Sequence, residues 1–151
     1  MAKRWLSTLF ALIALALWTG DSAAGGDVIV IIVHKDNSVG KLDKGQLRPI
    51  FQTSKTQWPN GDKIIALNLP EANTLRNGVD AAVLGLDPER VSRYWIDRKI
   101  RGGAPPPQKV PTVSSMLALV GSKPGAIGYV AESDVKGNVK VVARIVNGEV
   151  K

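Results

Sequence analysis

The sequence predicts an α/β domain, a mixed and mostly parallel sheet with helices on both faces, and three observations carry that expectation. Val28 to Val33 is an unbroken β-branched run without polar alternation, the pattern of a strand covered on both sides. Strand-like and helix-like segments alternate along the rest of the chain, which favours a sheet flanked by helices. There is no cysteine, so neither a disulfide nor a thiolate metal site can stabilise the chain, and an apolar core must.

The first element is not part of that domain. Lys3 and Arg4 precede an apolar run from Leu6 to Trp18, and Ser22-Ala23-Ala24 supplies the small side chains of a cleavage site. The run is shorter than the ~20 residues of a membrane span, so residues 1–24 read as a signal peptide, with a retained anchor as the alternative. Residues 25–151 then form one domain of ordinary size, periplasmic or secreted and not membrane-spanning after cleavage. Of the 20 basic and 13 acidic side chains, only Lys3, Arg4 and Asp21 precede residue 25, so the positive excess stays with the domain. In an exported protein that excess points to small anions or acidic partners rather than nucleic acid, with general solubility as the plain alternative.

Val28 to Val33 is the expected central strand. Asp43 caps a helix carrying Leu47, Ile50 and Phe51 on one stripe, disturbed by Pro49. Trp58-Pro59-Asn60-Gly61 is a turn into a second strand, Lys63 to Leu69, closed by Pro70. Asn73 or Thr74 caps a helix running to Leu84 and ended by Gly85. Asp87 caps the next, with Pro88 in its first turn and Val91, Tyr94 and Trp95 on one face. Gly102 to Pro107 is an extended loop. Thr112 or Ser114 opens a helix with Val113, Leu117 and Val120 as its stripe, Ala126 to Val130 is a third buried strand, and Lys140 to Val146 is a last strand at an edge.

Catalysis finds little support. His34 is the sole histidine, at the end of the first strand, and neither a nucleophile elbow nor a phosphate-binding loop of the P-loop type is present. No metal and no cofactor is expected.

The residues Val33-His34, Leu47-Arg48-Pro49-Ile50-Phe51, Trp58-Pro59-Asn60-Gly61, Arg76, Tyr94-Trp95, Gly102, Pro107 and Pro124-Gly125-Ala126-Ile127-Gly128-Tyr129-Val130 occur in an order that resembles small periplasmic phosphate-binding-protein-like domains. These are relatives of the substrate-binding component of phosphate ABC transporters, and the resemblance runs from about Val28 to Val142. It implies a single lobe of a two-lobed clamp, an exported solute-binding-like protein without enzymatic activity. Where such a family presents Ser-Gly-Thr-Arg to the anion, this chain has Asn73-Thr74-Leu75-Arg76 and keeps only the arginine. The resemblance thus implies weak recognition of a phosphate-like anion at Asn73, Thr74, Leu75 and Arg76. The plain alternatives are a helix cap for Asn73 and a surface ion pair with Asp80 for Arg76. Gly128 and Tyr129, with Gly125, are candidate cleft residues or sheet-packing residues. Trp58, Tyr94 and Trp95 suit core packing better than a cleft. Arg90, Arg93, Arg98, Lys99 and Arg101 suggest either a solvated helix face or a docking surface for an acidic partner or anionic lipid head groups; an envelope protein partner there would make the chain an interaction module that has lost its ligand.

Overall fold

The computed structural model describes residues 27–151, so the expected signal peptide over residues 1–24 lies outside the described residues. Strand β1 (Ile29–His34) is buried along its whole length, as its unbroken apolar run requires. It lies inside a six-stranded mixed sheet with β2 (Ile65–Asn68), β3 (Gln108–Lys109), β4 (Ala126–Ala131), β5 (Val139–Val146) and β6 (Glu149–Val150), in the order β3-β2-β4-β1-β5-β6. Pairing is parallel across β3, β2 and β4, and antiparallel where β1 meets β4 and β5. The burial of β1 on both faces therefore comes from the helices covering the sheet, not from parallel neighbours.

Alternation along β4 shows which helix covers which face. Gly128 lies under Met116 and Val120 of α4 (Val113–Ser122), whereas Tyr129 faces Phe51 of α1 (Lys44–Phe51), ring centroids 6.1 Å apart. Ile31 pairs with Tyr129, so Ile29 shares Tyr129's face, and its Cδ1 lies 2.5 Å from where a Cβ on Gly78 would stand. That glycine belongs to α2 (Thr74–Val79), which is therefore on the α1 side.

Local chemistry explains the helix boundaries. Asp43 and Gln46 form a reciprocal capping box at α1, which satisfies two amide groups that the first turn leaves without helical acceptors. The helix runs through Pro49 and ends two residues later. Asn73 caps α2, and α2 passes directly into a π-helical turn, Asp80–Leu84, closed by Gly85 at φ +72°. Asp87 and Thr112 cap α3 (Pro88–Ile100) and α4.

Three expectations change. The second strand shortens to Ile65–Asn68, with Lys63 left in an isolated bridge to Gln57. β5 is not the edge, because Asn147 and Gly148, both at positive φ, turn the chain back into β6. Trp58 is a core residue whose Nε1 donates to the Gly125 carbonyl at 2.9 Å, but Tyr94 and Trp95 are only half-buried, since Val91 is the one buried position of α3.

Candidate functional site

The candidate site lies at the end of the sheet where β2 leaves for α2. Asn73 Oδ1 accepts a hydrogen bond from the Leu75 amide at 2.9 Å, so the cap occupies a donor that an anion would otherwise use. Thr74 is exposed and Leu75 half-buried.

Arg76 turns inward and is only 5% exposed. Its Nε donates to Asp80 Oδ2 at 3.3 Å and its Nη1 to the Leu69 carbonyl at 3.1 Å, while Glu71 Oε1 lies 3.4 Å from Nη1. Among the described residues no hydrogen bond involves Nη2. The expected pair with Asp80 therefore exists, but it is buried rather than superficial, and desolvation governs it as much as attraction does. Burial holds the Asp80 carboxyl above its usual range, against the pull of the Arg76 guanidinium.

Glu71 joins this arrangement to the sheet. Lys109 of β3 approaches both of its carboxylate oxygens, at 2.8 and 2.9 Å. That hydrogen bond is the main reason the Glu71 carboxyl titrates below its usual range. Sequence reasoning missed Glu71 and Lys109, which lie 38 positions apart and meet because β3 pairs with β2.

Arg76, Glu71 and Asp80 form the polar end of a cleft of 190 Å³ whose other wall is apolar, with Val91, Trp95 and Pro106. The Arg98 guanidinium stacks over Trp95 at 5.5 Å, and Tyr94 meets Trp95 edge-on at 4.9 Å.

Gly128 and Tyr129 do not line a cleft. A Cβ on Gly128 would lie 2.2 Å from Met116 Sδ, so the glycine admits α4 to the sheet. Tyr129 is fully buried: its hydroxyl donates to Asn68 Oδ1 at 2.7 Å and accepts from the Leu69 amide at 3.0 Å, and burial raises its pKa far above the usual phenol value. Gly125 is also a packing residue, with the Lys63 carbonyl 2.1 Å from its hypothetical Cβ.

Three of the five cations of the basic stretch on α3 and its exit pair with carboxylates. Arg90 pairs with Asp87, Arg93 with Glu89 and Arg101 with Asp97, while Arg98 is held by the Gln52 carbonyl and the Tyr94 hydroxyl. His34 Nδ1 accepts from the Asp36 amide at 3.1 Å at the strand end. Among the described residues no cluster of histidine and carboxylates is arranged to hold a metal, and no helix is long and apolar enough to cross a membrane.

The α/β sheet with its helices and the cleft at its end share their fold with solved structures, three of which are as follows. An ABC-type phosphate transport receptor from Vibrio cholerae superposes with a TM-score of 0.62 at 22% identity, over 77% of this chain and 45% of the receptor. A putative phosphate ABC transporter substrate-binding protein with bound phosphate, from Clostridium perfringens, gives 0.62 at 24% identity, over 77% and 44%. PstS from Borrelia burgdorferi gives 0.60 at 12% identity, over 77% and 46%. The chain thus has the fold of one part of these proteins and spans less than half their length. No protein-family model and no curated protein matches it.

Proposed function

We propose that this chain is an exported, non-catalytic binding lobe that takes a small phosphate-like oxyanion weakly at the Arg76 end of its sheet. The observation that carries the reading is Arg76, retained at the cleft of a fold whose structural neighbours include phosphate-transport proteins, with one guanidinium nitrogen outside the hydrogen bonds among the described residues and Lys109 on the adjoining strand. A charge-assisted contact from Nη2 and a second cation give an oxyanion orientation as well as attraction. Weakness follows from the same geometry. Asn73 holds the Leu75 amide, and Arg76 already serves Asp80 and Leu69. The described residues also line the cleft from one side only, so by themselves they do not enclose a ligand and exclude water.

An affinity in the millimolar range, about 4 kcal/mol, fits a half-built shell of this kind. Calorimetric titration of the purified protein with phosphate and sulfate tests the proposal. Saturable binding supports it, and the absence of heat and of any thermal shift at millimolar anion rules it out. Export rests on the Lys3-Arg4 start, the Leu6 to Trp18 run and the Ser22-Ala23-Ala24 site. Detection of a mature protein beginning near residue 25 in the periplasm or medium is its test.

One observation favours a second reading, an interaction module docking an envelope protein. Ile96 and Ile100 are 57% and 79% exposed on α3, beside half-buried Trp95. Capture of the same envelope protein by the native chain and by an Ile96→Asp, Ile100→Asp variant would count against this surface.

A further inference from the structure

Glu71 is an exposed residue in the short turn between β2 and α2, yet its carboxylate sits where two cations from different elements converge. Lys109 Nζ is 2.8 Å from Oε1 and 2.9 Å from Oε2, and Arg76 Nη1 is 3.4 Å from Oε1. The site thus already contains an oxyanion of its own, supplied by the chain. We infer that the Glu71 carboxylate is an internal counter-ion occupying the anion position between Arg76 and Lys109, and that an external oxyanion must displace it to bind. This rests on the anion site proposed above and adds what regulates it.

The two carboxylates of the cleft differ in how readily they leave. Asp80 is 6% exposed, and its contact with Arg76 Nε closes a single helical turn, so it remains with the arginine when a ligand enters. Glu71 has a side chain 66% exposed and is free to swing into water, where its charge is fully hydrated. Displacement therefore exchanges one oxyanion for another at little cost in buried charge. A tetrahedral oxyanion presents the same pair of oxygens to Lys109 and has further oxygens for Nη2, which a carboxylate held by Lys109 does not engage. While Glu71 stays in place, its negative charge repels the incoming anion and cancels the field of the two cations. The pairing also shapes selectivity: an anion with a single charged oxygen gains nothing over Glu71, whereas phosphate and sulfate do.

Titration with inorganic phosphate at fixed pH and ionic strength, on the unaltered protein, Glu71→Gln and Glu71→Gln with Lys109→Gln, tests the inference. Glutamine keeps the shape and removes only the charge at an exposed position, so thermal unfolding of Glu71→Gln is expected to stay close to that of the parent. We expect Glu71→Gln to bind phosphate about tenfold more tightly, as loss of one nearby like charge predicts, and the added Lys109→Gln to reverse that gain. If the parent binds and Glu71→Gln binds equally or more weakly, Glu71 is not a competing counter-ion, while the proposed oxyanion site stands. If neither protein binds phosphate up to about 50 mM, the proposed site and the counter-ion reading both fall.

Discussion

Tyr129→Phe removes one oxygen atom from the centre of the molecule and leaves its volume almost unchanged, so its effect isolates the hydrogen-bond network that positions the site. The hydroxyl accepts from the Leu69 amide and donates to Asn68 Oδ1, and all three residues are buried. Phenylalanine would leave a backbone donor and an amide oxygen without partners, at about 1–3 kcal/mol each. Asn68 can recover part of its share by turning its amide, so about 2–4 kcal/mol is the expected total. For a domain of this size that lowers the melting temperature by roughly 8–15 °C. Urea unfolding is the cleaner assay, because a lower midpoint with an unchanged slope identifies a loss of native stability. The effect should also reach the cleft, since the Leu69 carbonyl is the acceptor that fixes Arg76 Nη1. A loss below about 0.5 kcal/mol would refute the reasoning, because it is the scale of an ordinary surface substitution.

Gly125→Ala forces a Cβ against the backbone carbonyl of Lys63 and should cost more than about 3 kcal/mol, whereas Gly128→Ala presses on the flexible Met116 side chain and should cost about 1–3 kcal/mol. Urea midpoints that reverse this order contradict the packing assigned to the two glycines. Asp43→Ala removes the capping box of α1 and should lose about 1 kcal/mol, read from the same midpoints. Asp80 has a folded pKa raised above 3.8 chiefly by burial, so its protonated form is the one the fold favours. Its contribution is complete below the unfolded value and is lost as pH rises through the raised one. The stability of the parent relative to Asp80→Asn should therefore fall as pH rises above the usual aspartate value of 3.8, and a rise would contradict the sign.

What the sequence disclosed is what local chemistry decides. Asp43, Asn73, Asp87 and Thr112 cap helices because a short polar side chain before a helical run accepts the amides of its own first turn. Gly85 ends a helix because its left-handed backbone suits glycine, and β1 is buried because no polar residue interrupts it. The features that stayed hidden depend on distant pairing. β3 is two residues long and exists only because β2 lies beside it, and β6 is equally short and exists only because the turn at Asn147 and Gly148 returns it to β5. At the site, the spacing of Arg76 and Asp80 was legible and their burial was not. The meeting of Glu71 with Lys109, and of Tyr129 with Asn68 and Leu69, spans 38 to 61 positions and follows from the strand order. An apolar run likewise reveals that a strand is covered, but not which way its neighbours run.

An oxyanion bound at the proposed site meets Arg76 and Lys109 at one place, and nitrogen-detected NMR of arginine and lysine side chains reads that meeting directly. On titration with phosphate, the Arg76 Nε and Lys109 Nζ signals should move together and saturate, while Arg93 and Arg144, paired with Glu89 and Glu132 on the exposed surface, stay in place. Small unsaturated shifts spread evenly over all the cationic side chains would mean that the chain attracts anions only through its net charge, and would contradict the site.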